Sequence, residues 1–590
     1  MILSILLLNS CKEKDKEKQD RRLLTGFLAW YEQNKDSIPA SVTETLTSTA
    51  TSSETSTSTT SSTNSTTETN SNSSTNSSSA TNTGTNSSSS TATSSNTNSS
   101  TSTSWSQQAY IKAPNAGSTD FFGWSAAISS DTIVVGATSE DSNQTTITNG
   151  TTANTDNSVS GSGAAYVFKR SGTTWAQEAY LKAPNAESSD SFGQSVAIDS
   201  DTIAIGAVNE DSNQTTITNG TTASSNNSAT KSGAVYVFKR SGSTWTQEAY
   251  LKAPNAEGFD QFGQSVAISS DTIVVGAFNE DSNQTTITNG TSASSNNSNA
   301  ASGAVYVFKR SGTTWTQEAY LKAPNGEGSD NFGWSVAISS DTIVVGATAE
   351  SSNQTTITNG TTASSNNSAS GSGAAYVFKR SGTTWTQEAY LKAPNAEGSD
   401  QFGWSVAINS NTIVVSAIGE DSDQTTVTNG ATGSSNNSAS SAGAVYVFKR
   451  SGTTWSQEAY LKAPNSGADD SFGQSVAIYS DLIAVGASAE DSNQNSITNG
   501  TTASTNNTLS NAGAAYIFTR SGTTWSQEAY FKAYNVGGSD AYGYSVGVYS
   551  NTMIVAATLE DSSQTTITNG TTASTNDSLS NSGAVYVYTK

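Results

Sequence analysis

A tryptophan returns every 70 residues, at Trp105, Trp175, Trp245, Trp315, Trp385, Trp455 and Trp525. A spacing this regular restricts a chain to architectures in which one supersecondary unit is copied and stacked on itself. Each unit reads as four strands. In one copy these are Phe192–Ser200, Asp201–Val208, Gly233–Arg240 and Ser243–Ala253. Val, Ile, Tyr and Phe dominate them, and Gly, Ser, Asn and Asp bound them. A polar loop of roughly 25 residues separates the second strand from the third, and about 45 residues remain without it, the size of a four-stranded propeller blade.

The array starts at Trp105 on a lone fourth strand and stops at Lys590 after a third strand. Pairing the two closes a ring and removes the open ends of a linear array. The expected fold class is therefore all-β: a seven-bladed β-propeller over residues 105–590, closed by its N-terminal strand and preceded by a disordered tether.

Composition removes several chemistries. The chain has no histidine, and Cys11 is its only cysteine. Histidine bases, Cys/His nucleophile pairs, zinc clusters and intrachain disulfides are thereby excluded. A net charge of −22 opposes nucleic acid as a partner. The acids recur in every unit and form no single-copy pair, so the chain is read as a non-enzyme.

Ahead of the repeats, Ile2–Leu8 is a short apolar run, too short to span a bilayer. Residues 1–10 read as a signal peptide, and Leu8-Asn9-Ser10-Cys11 resembles a bacterial lipobox, which makes Cys11 the lipidation site. Residues 11–39 are a charged segment with a short amphipathic helix pattern at Leu23, Leu24, Phe27, Leu28 and Tyr31. Residues 40–104 are almost wholly Ser, Thr, Asn and Ala, a composition that buries too little apolar surface to order itself. These features imply a monomer on the outer membrane or cell surface, held to the membrane by a lipid anchor.

The residues "FG…SVAI…DTIVVGA…GAVYVF" resemble the FG-GAP repeat of integrin alpha-chain propellers and bacterial surface proteins. Phe122-Gly123 and its copies carry the first half, with Tyr542-Gly543 departing slightly. Gly136-Ala137 and its copies carry the second, with Ser416-Ala417 and Ala556-Ala557 as departures. Near-identical units behind a lipobox are also similar to the FG-GAP lipoproteins of leptospires. The resemblance implies a surface binding or adhesion module, with a host extracellular-matrix or cell-surface protein or a glycan as partner. A multivalent lectin-like propeller and a non-binding scaffold or antigenic decoy stay open beside it. The integrin calcium loop does not carry over, because only Ser129–Asp131 joins the first two strands here.

Carboxylates recur near the turns of one propeller face. An aspartate stands two residues before each Phe-Gly or Tyr-Gly: Asp120, Asp190, Asp260, Asp330, Asp400, Asp470 and Asp540. A glutamate opens each long loop: Glu140, Glu210, Glu280, Glu350, Glu420, Glu490 and Glu560. Asp141, Asp211, Asp281, Asp421, Asp491 and Asp561 follow, with Ser351 in the remaining unit. Such sets read either as turn caps and solvated loop starts or as Ca²⁺ sites that pin the loops, since hard cations take oxygen ligands. The tryptophans read as blade packing. Asn149-Gly150 is a type I′ hairpin signal and predicts a small projecting hairpin in each loop.

Overall fold

A computed structural model describes residues 104–590. The readings of the signal peptide, Cys11, the short helix and the linker lie outside the described residues. The described residues form strands, turns and loops and contain no helix. They build seven five-stranded antiparallel sheets, the blades of a closed propeller.

The strand preceding the first complete blade is β1 (Ser106–Ile111). That blade then holds β2 (Phe122–Ser129), β3 (Thr132–Ala137), β4 (Thr148–Asn149), β5 (Ala164–Ser171) and β6 (Thr174–Leu181). Its order in space is β2-β3-β5-β6-β4. Five further blades repeat this order. The seventh takes β1 as its fourth strand, laid antiparallel on Ala584–Thr589 with Ala109 opposite Val587 and Ile111 opposite Val585. Ring closure by the N-terminal strand is thus as the sequence predicts.

The first strands of successive blades neighbour one another all the way round, so they form the axial wall. Apolar residues of facing blades fill the spaces between. Ala127 and Val134, for example, pack with Phe192, Val196 and Ile205 of the next blade. The FG-GAP glycines are set by this contact. A Cβ on Gly136 would stand 2.1 Å from the Gly193 carbonyl oxygen of the next blade, well inside any permitted contact. The two halves of the motif therefore face each other across blades. In each complete first strand a register shift follows the aromatic residue, as between Phe122 and Ser125, leaving Gly123 and Trp124 bulged.

The long loop departs from expectation. Thr148 and Asn149 pair with Tyr180 and Ala179 as a fifth, outermost strand. Gly150 has φ +125°, but Asn149 is not in the left-handed region, so no type I′ turn forms. The projecting hairpin is corrected to a strap lying along the outer edge of its own blade. The local turn signal was real, but the open edge of β6 offers backbone partners that a two-residue hairpin in water does not.

Candidate functional site

The recurring carboxylates are the candidate ligands that the sequence offers. Glu140 is fully buried and saturated. Its carboxylate accepts from Lys182 Nζ at 3.0 Å, the Tyr180 hydroxyl at 2.9 Å, Asn115 Nδ2 at 2.8 Å and the Ser142 backbone N–H at 3.2 Å. Lys182 also donates to Ser162 Oγ and the Gly163 carbonyl. Tyr166 donates to Asn115 Oδ1 and so holds the amide for the glutamate.

The same Lys–Glu pair recurs in every blade, at Glu210, Glu280, Glu350, Glu420, Glu490 and Glu560, over 2.7–3.0 Å. Burial pushes the Lys182 ammonium below the usual lysine range, opposed by the charge of Glu140. Burial and the same glutamate push the Tyr180 phenol upward.

The aspartates that precede each first strand are also buried, and each accepts a backbone N–H three residues earlier. Gly117 donates to Asp120 at 2.6 Å, and equivalent bonds serve Asp190, Asp260, Asp330, Asp400, Asp470 and Asp540. Burial pushes Asp190, Asp260 and Asp400 up to about 8, and Asp120, Asp330 and Asp540 up to about 7. The third carboxylates tie the far end of the strap. Asp141 accepts from Gly161, and Asp211, Asp281, Asp421, Asp491 and Asp561 repeat this bond. Ser351 supplies its hydroxyl in the remaining blade.

These sets do not fit a calcium ion. The glutamate oxygens are committed to an ammonium, a phenol and two N–H groups, so a lysine stands where a cation would. Among the described residues no group of three or more His, Cys, Asp or Glu side chains is arranged to hold a metal. The glutamates and the first aspartates are buried ties of the blade, and the second aspartates, half-buried except for Asp491, tie the strap from its edge.

The tryptophans tie neighbouring blades. Trp245 is buried, and its indole donates to Glu178 of the preceding blade at 2.9 Å. Arg240 lies over the same indole, 5.3 Å being typical of the series and 5.5 Å here, and pairs with Glu178 at 3.2 Å. The strap completes the joint. The Asn149 side chain accepts from the Trp245 backbone N–H at 2.7 Å and donates to its carbonyl at 3.1 Å. Asn219, Asn289, Asn359, Asn429, Asn499 and Asn569 clasp the next blade in the same way, the last two reaching Trp105 and Trp175.

The model of the FG-GAP repeat matches residues 105–168, 175–238, 245–308, 315–378, 385–448 and 455–518. The chain belongs to the FG-GAP repeat family. The matched segments take in the paired glycines described above, and the seventh unit of this FG-GAP propeller, with Tyr542 and Ala556, lies beyond them. No curated protein matches the sequence. Among solved structures, an acylaminoacyl peptidase in complex with Z-Gly-Gly-Phe-chloromethyl ketone is similar at a TM-score of 0.31 and 10 % identity. The alignment covers 73 % of this chain and 48 % of that one, so this chain spans about half of that protein's length. A likeness this slight carries no argument about activity.

Sequence reasoning missed the buried lysine and the clasp asparagine. Both had a signal, since each stands at one position in all seven units, Lys112 to Lys532 and Asn149 to Asn569. Neither is a residue type usually sought in a core.

Proposed function

We propose that this FG-GAP propeller is a binding module displayed on a bacterial surface, anchored through Cys11 and raised by the linker, with a host matrix or cell-surface molecule as its partner. FG-GAP propellers typically serve as binding modules, and the observation that carries the reading is the closed, seven-bladed ring of these repeats. A rigid ring holds its face residues in fixed relative positions, which lowers the ordering cost of association. A lectin with one sugar platform per blade finds no support in the tryptophans, because all seven are buried against the preceding blade.

The test is a solid-phase screen of the full chain against matrix proteins and host cells, in calcium and in chelator. Saturable binding to one partner supports the module. Failure to bind any of them favours the inert scaffold or decoy. Labelled palmitate incorporation that disappears in Cys11→Ala tests the anchor.

A further inference from the structure

Seven near-identical units make any departure from the mould informative. The strap is among the most uniform stretches, reading "SNQTTITNG" in four units and differing by one or two residues in the others. Two sets of buried positions vary in kind, and both lie at the ends of the axial strands. At one end the side chains equivalent to Ser129 include Asp199 and Asn409. Several of them accept a backbone N–H from the next blade, as Ser129 does from Ser200 and Asp199 from Ser270.

The other end is different. The position of Trp124 reads Trp, Gln, Gln, Trp, Trp, Gln, Tyr round the ring, and that of Phe121 reads Phe, Ser, Gln, Asn, Gln, Ser, Ala. The two residues after each Gly-Ala, starting from Thr138-Ser139, vary as widely. In a chain of net charge −22, none of these four positions carries a charge in any blade.

These side chains meet at the mouth of the axis. Trp124 packs at 5.2 Å, tilted, against Tyr544 of one neighbouring blade, and Trp334 at 5.2 Å, also tilted, against Trp404 of another. Gln194 reaches Gln264 at 3.5 Å. In most blades the bulge after the Phe-Gly or Tyr-Gly aromatic is what aims this position away from the regular strand.

Buried polar atoms at this mouth are left without partners. The indole N–H of Trp124 and of Trp404, the amide N–H of Gln261 and of Gln264, and the amide oxygens of Asn209 and Asn331 are all buried and meet no hydrogen-bond partner. A buried donor or acceptor without a partner destabilises the fold that contains it. The lysine–glutamate hubs of the same blades leave no comparable debt.

We propose that the axial mouth on the face of the long loops is a single binding site for a neutral, hydroxylated ligand, a saccharide, in which aromatic rings cover the apolar face and the unpartnered indole and amide groups bond the hydroxyls. The mixture of donors and acceptors matches hydroxyl groups, which do both. The absence of a cation in the ring disfavours carboxylate or phosphate ligands. Aromatic walls with a few placed polar groups are the usual make-up of a small-molecule site. Access requires the pairs Trp124–Tyr544 and Trp334–Trp404 to part. The proposal rests on the binding-module reading and sharpens it from seven equivalent blades to one site that the repeat does not copy.

The experiment is titration calorimetry of the full chain with D-galactose, D-mannose, D-glucose and N-acetyl-D-glucosamine, with D-glucuronate as the charged comparison. One of the neutral sugars is expected to bind at one per chain, quench tryptophan fluorescence, and outbind glucuronate. Trp404→Phe keeps an aromatic face, though a smaller one, and removes the N–H, and is expected to weaken association roughly tenfold, as loss of one buried hydrogen bond does. Gln264→Leu is the second variant, and both are first shown to melt near the parent. Asn219→Ala, remote on the strap, is the control that leaves affinity unchanged. No binding by any of the four sugars, seven sites per chain, or equal affinity in both mouth variants overturns the site. Matrix or cell binding that survives Trp404→Phe leaves the module standing while removing this site from it.

Discussion

A buried lysine and glutamate are costly to take from water and cheap only while they hold each other. Lys252→Met leaves Glu210 with a phenol, an amide and a backbone N–H but no counter-charge. Breaking one partner of such a pair costs about 3–5 kcal/mol. Lys252→Met should therefore lower the melting midpoint markedly, and Lys252→Met with Glu210→Gln should recover part of the loss. Equal midpoints for the single and double variants would contradict the hub.

The aspartates give a pH dependence of known sign. Burial holds Asp190, Asp260 and Asp400 near 8, above the ordinary 3.8. A raised value means that the protonated form favours the fold. That stabilisation is complete below about pH 4 and is lost as pH rises through 7 to 8. The midpoint contributed by these groups should fall between pH 6 and pH 8.5, and Asp260→Asn should flatten the slope while keeping the bond from Glu257.

At the scale of the element, the strap changes what the repeat means. Its ends are held by Glu140 and Asp141, its middle pairs with β6, and its Asn149 grips the next blade. Asn219→Ala removes two hydrogen bonds to the Trp315 backbone. A net cost of about 1–2 kcal/mol is expected, with faster amide exchange confined to residues 211–233 and the start of the next blade's fourth strand. Because the straps are tied by protein groups, removing calcium with a chelator should leave the midpoint where it is.

The strands themselves were legible, since alternating Val, Ile and Tyr between glycine-bounded turns permits few other readings. The strap was not, because "NQTTITNGT" has the composition of a solvated loop, its strand partner β6 comes only after the third strand, and the Trp245 that Asn149 grips lies in the next blade. The acids were found but misplaced. Glu140 stands in sequence beside Asp141 and Ser142, which suggests a surface, and nothing local reveals that Lys182 closes over it. The mouth residues were legible only as noise in the repeat until the ring brought them together.

At the scale of the whole molecule, the seven joints are not equal. Six fourth strands carry a glutamate, from Glu178 to Glu528, that pairs with Arg or Lys590 of the following blade. In β1 the residue is Gln108, which accepts the Trp175 indole at 2.8 Å but gives Arg170 no carboxylate. Arg170 keeps the contacts to an aspartate and a threonine, Asp131 and Thr552, that Arg310, Arg380 and Arg520 also make, and lacks their third partner. Gln108→Glu should restore the missing pair and raise the midpoint slightly, within about 1 kcal/mol, because the site is partly open to water. A lowered midpoint would mean that the indole bond, rather than charge, governs this joint.

The position of β1 also has a mechanical consequence. Among the described residues it is the only strand that joins its blade from the other end of the array, and the chain before Trp105 leads directly into it. A ring tethered through that chain and gripping something in flow would deliver the load to β1 before any other strand. The hydrogen bonds to Ala584–Thr589, and the Asn499 clasp on Trp105, would then act as a fuse whose rupture force sets how long the propeller keeps its shape under tension.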